Sequence, residues 1–324
     1  MLGLVVIVAA SFQFGKYPIS PITVSEIVVA KILPLHHSWS QTMAIVVLEI
    51  RMPRVLAALL VGGALAASGT TYQTMFRNPL VSPDILGVSA GAACGAAVAI
   101  SIGLPQWGID AAAFFGGLLA TAVAYGVART FAGRSPIVLV LSGVVVAAFF
   151  SAVVSIVLFF ADPLTTLPEI TFWLLGGLAN TTNAQNLVAA LIVVPTGLVL
   201  YLFRWPIGVL ALGRDDAQTL GVRQELLWLV VVVSTALMTS AVVAISGIVG
   251  WVGLLVPHVA RMLFGPRFAD VMPASALLGA GFLLVVDSVA RNLLTGSLPL
   301  GPLTAIIGAP FFLVLLVRAN GGQP

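Results

Sequence analysis

Charge is what this sequence has least of. Its 324 residues include 14 Lys plus Arg and 11 Asp plus Glu, 8% of the chain, where a soluble domain carries about a quarter. Disorder, a coiled coil and a nucleic-acid-binding surface all need more charge than this, and the few basic residues never form a run. Lysine occurs only as Lys16 and Lys31, followed by Tyr17 and Ile32. A phosphate loop of the GxxxxGK form, with Ser or Thr after the lysine, is therefore excluded, and any ATP chemistry belongs to another chain. The single cysteine, Cys94, rules out an intramolecular disulfide and a cysteine metal site. The three histidines, His36, His37 and His258, form neither an HExxH motif nor a cluster, which disfavours a metalloenzyme.

What is present is hydrophobic sequence, 60% of all residues. A membrane-crossing helix needs ~20 apolar residues, and runs free of Asp, Glu, Lys and Arg cover 1–15, 55–76, 85–109, 111–128, 135–161, 170–203, 226–260, 271–286 and 292–317. The opening run lacks the basic flank of a signal peptide and reads as the first span. Two runs are too long for one crossing. The run 226–260 breaks at Gly247, Gly250 and Gly253, and the run 170–203 at Gly176, Gly177 and the stretch Asn180 to Asn183. A short half-helix before that second break is expected, with a full span after it.

The fold class is therefore an all-α polytopic membrane protein forming a single transmembrane domain over 1–324. Its ten spans lie near 1–14, 54–75, 84–103, 111–129, 136–160, 187–203, 227–246, 253–264, 273–294 and 300–317. An even count places both termini on one side. If that side is the cytoplasm, nine basic residues lie inside (Arg77, Arg129, Arg134, Arg204, Arg214, Arg223, Arg261, Arg267, Arg318) and five outside (Lys16, Lys31, Arg51, Arg54, Arg291). That distribution follows the positive-inside rule. Five spans per half would make the halves inverted relative to each other, an arrangement that often places a transport path at the interface.

Few residues offer chemistry. Asp287 precedes Arg291 by one helical turn and reads as a local ion pair near the outer end of its helix. Asp84, after Pro83, reads as a cap on free backbone amides. His258 reads as a packing residue, and His36 and His37 as outer-loop residues. The one polar segment within the hydrophobic body, 204–225, contains LGRDDAQTLGVRQE and reads as a short cytoplasmic helix pair suited to docking. A secondary transporter or channel acting alone would need a coupling carboxylate or an ion-selective ring near the midplane, and neither is visible.

Several segments carry a family resemblance. RMPRVLAALLVGGALAASG (51–69), NPLVSPDILGVSAGA (78–92), LSGV (141–144), FWLLGGL (172–178), ALGRDDAQTLGV (211–222), GWVGLLVPHVAR (250–261), DSVAR (287–291) and LPLGPLTAIIGAPFF (298–312) occur in this order along nearly the whole chain. They resemble the membrane permease subunits of type II ABC importers for iron chelates and cobalamin. The resemblance implies a homodimer in the bacterial inner membrane with its substrate path on the twofold axis. It also implies two ATP-binding cassette subunits, which bind ATP and Mg, and a periplasmic or extracellular substrate-binding protein, with no cofactor on this chain and membrane lipid around it. By motif, Arg51, Arg54 and Arg291 look like the arginines that dock the binding protein. Asn78, Leu80 and Ser135 look like the cytoplasmic gate. Gly213, Arg214, Asp215, Asp216, Ala217, Gln218, Thr219, Leu220 and Gly221 look like the ATPase coupling element, in which Ala217 is small enough for close docking. The implied cargo is haem or a ferric siderophore, with cobalamin as the alternative.

Overall fold

The computed structural model describes residues 2–15, 17–31, 39–131, 136–211, 213–293 and 298–320. Of the residues singled out in the sequence, Lys16, His36, His37, Arg134 and Ser135 lie outside the described residues. The described residues fold into helices and contain no strand.

The chain opens with α1 (Leu2–Ser11) and then forms two short helices, α2 (Pro21–Ala30) and α3 (Gln41–Ile45), which the charge-free runs do not reveal. Both are set by side-chain caps. The Ser20 hydroxyl accepts the Thr23 amide at 3.1 Å, with Pro21 in the first turn, and the Ser40 hydroxyl accepts the Met43 amide at 3.3 Å. They bury a small apolar cluster of Ile19, Val24, Ile27 and Val47. At only 10 residues, α1 is half the length of a membrane crossing, so the first expected span is shorter than the reading gave.

A π-helical turn (Val46–Arg51) leads into α4 (Met52–Met75). There follow a 3-10 turn (Pro83–Leu86), α5 (Val88–Ser101), α6 (Gln106–Phe131), α7 (Pro136–Phe160), the short α8 (Thr166–Leu175) and α9 (Asn183–Leu202). The polar segment forms α10 (Arg204–Leu210) and α11 (Arg214–Thr219), and the chain finishes with α12 (Gln224–Ser246), α13 (Val252–Phe264), α14 (Phe268–Leu293) and α15 (Leu300–Asn320). Both long runs break where the glycines predict. Gly176 (φ 71°) and Gly247 (φ 64°) end α8 and α12 in conformations that a Cβ disfavours. A capping box between Thr182 and Gln185 starts α9, four residues ahead of the expected boundary.

Among the described residues, five helices, Gln106–Thr130, Pro136–Phe160, Asn183–Leu202, Gln224–Ser246 and Phe268–Leu293, are long and apolar enough to cross a membrane. α4 has the length, 24 residues, but carries Ser68, Thr70, Thr71, Tyr72, Gln73 and Thr74. Most of it is buried against α9, α12, α13 and α14, so its surroundings are mainly protein. α7 is the converse, apolar but for Ser142, Ser151 and Ser155, with Phe149, Phe159 and Phe160 exposed as on a helix that faces acyl chains.

Backbones meet at the centre because glycine removes the side chain between them. A Cβ built on Gly62 would lie 2.2 Å from the Gly279 carbonyl oxygen of α14, and one on Gly69 1.8 Å from the Gly253 oxygen of α13. Gly62, Gly69, Gly253 and Gly279 are thus helix-packing positions. Gly69→Ala is expected to cost about 1–3 kcal/mol or more as overpacking, read as a fall in the unfolding midpoint of the detergent-solubilised chain. Gly126→Ala, whose methyl meets nothing within 4 Å, is expected to leave the midpoint unchanged.

Candidate functional site

Helix direction sorts the polar residues into two groups at opposite ends of the bundle. At one end, the last turn of α1, the first turn of α4 and the last turns of α14 converge on Asp287. Its Oδ1 accepts Arg54 Nε at 2.7 Å, and its Oδ2 lies 3.0 Å from Arg291 Nε as an ion pair. Arg291 also donates to the Ser11 hydroxyl at 2.7 Å and to that of Ser288 at 3.1 Å. Arg51 donates to the backbone oxygens of Phe12 and Tyr17. The predicted Asp287–Arg291 pair is present, but it is part of a larger interior cluster in which Asp287 is fully buried.

This corrects the expected surface placement of the three arginines. They do gather, but Arg51 and Arg54 are only 4% and 8% exposed, because a carboxylate and backbone carbonyls beneath the surface draw the guanidiniums inward. Asp84 is a second correction. Its Oδ1 accepts the Ser89 hydroxyl, and Gly87 stands at the N-cap of α5, so Asp84 braces the turn from within and leaves the helix amides uncapped.

At the opposite end, a cavity of about 1010 Å³ opens between the last turns of α4 and α6, the start of α7, and the segment from α10 to α12. Arg77, Arg129, Gln218, Arg223 and Glu225 line it beside Tyr125 and Trp228. α4 ends there in a Schellman turn, with the Asn78 amide bonded to the Gln73 oxygen at 3.1 Å and the Arg77 amide to that of Thr74 at 3.3 Å. Arg77 takes the left-handed position (φ 52°) that glycine usually fills. Asn78 and Leu80 are exposed on this turn, and the Leu80 amide donates to Asn78 Oδ1 at 2.9 Å.

The neighbouring α11 lies between Gly213 (φ 132°) and Gly221 (φ 75°), the two glycines that bound the coupling motif. Gln218, Thr219, Leu220 and Gly221 are exposed; the side chains of Arg214, Asp215 and Asp216 lie outside the description. Ala217 is fully buried, with its oxygen accepting the Val222 amide at 3.0 Å, so its small size serves packing within the chain.

A contact that sequence spacing does not disclose joins α4 to α13. Arg261 Nη1 donates to Gln73 Oε1 at 2.6 Å, while Gln73 Nε2 reaches the carbonyl oxygens of Val81, Gly253 and Leu254 at 3.2, 3.4 and 3.3 Å. Among the described residues no group of three His, Cys, Asp or Glu side chains gathers as a metal site. His258 is half-buried on α13.

A multi-helix bundle with a short eighth helix, a central α4 that is mostly buried and a short helix pair beside a cavity at one end has the build of a membrane permease. The chain belongs to the FecCD transport family, whose model matches residues 3–318. It is 41% identical over 287 residues to a Helicobacter pylori permease named for iron chelatin transport, covering 89% of this chain and 87% of that one. It is 38% identical over 322 residues to the molybdate import system permease MolB of Haemophilus influenzae, covering 99% and 95%. A solved structure described as an inward-facing metal-chelate type ABC transporter superposes with a TM-score of 0.87 at 35% identity, over 98% of this chain and 97% of that one. These relatives are transport components and not enzymes.

Removing the buried carboxylate tests the arginine cluster. Asp287→Ala leaves two guanidiniums without their shared partner and is expected to destabilise the chain by about 3–5 kcal/mol, read as a lowered unfolding midpoint in detergent. Arg291→Met, which leaves the Arg54 bond in place, should lower it less.

Proposed function

We propose that this chain is the permease subunit of an ATP-driven, binding-protein-dependent importer that carries an iron chelate, haem or a ferric siderophore, into the cytoplasm. It works as a homodimer with the path between the two copies. Two ATPase subunits sit at the cavity end, and a substrate-binding protein sits at the end that holds Asp287. The observation that carries this reading is one cavity lined by Gln218 and Gly221 of the exposed α11 rim and by Arg77, which leads into the exposed Asn78–Leu80 turn. A chain without a phosphate loop responds to ATP only through a contact that moves, and these are the elements placed to make one and to answer it.

Orientation follows from charge. Arg77, Arg129 and Arg223 line the cavity, with Arg261 in the last turn of α13 bonded to Gln73 in the last turn of α4 nearby, and the positive-inside rule supports reading that side as cytoplasmic. The binding protein meets the outer surface above Arg51, Arg54 and Arg291, where the buried cations hold the shape of the docking end. The reading of an ion-driven carrier acting alone finds no support in Asp287, whose charge is already shared between two arginines.

The ATPase contact rests on Gln218, Thr219 and Leu220. Leu220→Asp is expected to lower ATP-dependent uptake of a ferric siderophore or haem by about tenfold or more in proteoliposomes containing the ATPase and binding protein. The chain should still insert and purify. Undiminished uptake in this variant contradicts the assignment of α11. In the same vesicles, competition by cobalamin or molybdate instead of the iron chelates would reassign the cargo.

A further inference from the structure

The contact between Gln73 and Arg261 has no part in the functional reading so far. Gln73 is 3% exposed in the last turn of α4, and all its polar atoms are engaged. An arginine only donates hydrogen bonds, so Arg261 at 2.6 Å fixes which end of the Gln73 amide is oxygen. The amide nitrogen is thereby aimed at Val81, at the far side of the inner turn, and at Gly253 and Leu254, in the first turn of α13. One side chain of α4 thus ties the turn to the first turn of α13, and a side chain 188 positions along the chain sets its orientation.

The surroundings allow little slack at the α13 side of this knot. A Cβ on Gly253 would stand 2.4 Å from Pro83 Cγ and 2.8 Å from the Leu65 oxygen, so the start of α13 is wedged between α4 and the 3-10 turn. The turn itself is different. Val81 is buried, while Arg77, Asn78 and Leu80 stand in the open, and Arg77 holds a left-handed conformation costly for a side chain of its size. Its position therefore depends on what holds its two ends, and Gln73 holds both. Its own carbonyl accepts the Asn78 amide, and its side chain bonds Val81.

We propose that Gln73 is a positioning residue for the inner turn, oriented by Arg261, and that α13 moves this turn through it. The mechanical route is short. α10 packs on the first turn of α14, with Gly208 against Phe268, and only Gly265 to Arg267 separate α14 from α13. Displacement of the α10–α11 segment thus reaches Arg261 through rigid elements, and Gln73 delivers it to Asn78 and Leu80. This extends the importer reading and rests on it for the source of the displacement.

The test uses the full chain assembled with its ATPase, in two separate measurements. For the position of the turn, Leu80→Cys in a Cys94→Ala background is labelled with a maleimide. Gln73→Glu keeps the Arg261 contact but cannot donate to the three carbonyls, and Arg261→Met frees the amide to flip. Each is expected to change the labelling rate about tenfold, while Arg261→Lys, which retains a cationic donor, stays near the starting rate. For function, the same three substitutions with Leu80 intact are assayed for cargo moved per ATP hydrolysed. Gln73→Glu and Arg261→Met should lower that ratio with ATP hydrolysis maintained, a separation that a loss of folding would not give.

Unchanged labelling and an unchanged ratio in Gln73→Glu overturn the proposal. So does an Arg261→Lys variant as defective as Arg261→Met. If either strong variant fails to assemble, the contrast between Arg261→Lys and Gln73→Asn, which moves the amide back by one methylene, decides the matter by the same two readouts. If the unaltered complex moves no cargo with ATP, the importer reading fails, and the labelling arm still decides whether Gln73 sets the turn.

Discussion

The structure depends on close contact between helix backbones around α4. In a bilayer, apolar side chains gain nothing by leaving lipid for one another, so helices associate through dense packing and internal polar bonds. α4 uses both. Gly62 and Gly69 bring the carbonyls of α14 and α13 to its surface, and Thr70 donates to the Ser275 hydroxyl on α14 at 2.8 Å in the interior. With α4 enclosed, its first turn fixes Arg54 on Asp287 and its last turn projects the inner loop. The two ends of the permease are thus two ends of one buried helix.

That enclosure also explains where polarity is tolerated. Many hydroxyl residues inside the bundle return their hydrogen to a carbonyl one turn back, as Thr71, Thr235 and Ser246 do at 2.7–2.8 Å, which removes the cost of leaving the group without water. Charge is admitted on stricter terms. Asp287 sits at no exposure with a cation on each oxygen, and breaking such a set costs far more than the set contributes when intact. The cluster belongs to the frame of one end of the bundle, and the parts proposed to move lie at the opposite end.

The architecture was largely legible in the sequence, because charge-free runs locate buried or lipid-facing helices and glycine clusters mark where long runs break. The short helices α2 and α3 were not, since they lie in a segment containing Glu26, Lys31 and Glu49 and depend on single serine caps. At the sites, local spacing carried the Asp287–Arg291 pair and the glycine brackets of α11. It could not carry the Arg54–Asp287 or Gln73–Arg261 bonds, which join residues 233 and 188 positions apart. Ala217 shows the same limit. Its size was read correctly, but which way a small residue faces is decided by the rest of the chain.

The central claim is that the inner end, through α11, meets an ATPase and answers to it. It is tested most directly by placing a cysteine at Thr219 in a Cys94→Ala chain, assembling the full complex with its ATPase, and following crosslinking with and without ATP. The account predicts a crosslink to the ATPase whose yield changes when nucleotide binds. A residue 219 that stays freely labelled in the assembled complex, with no crosslink in either state, would contradict it.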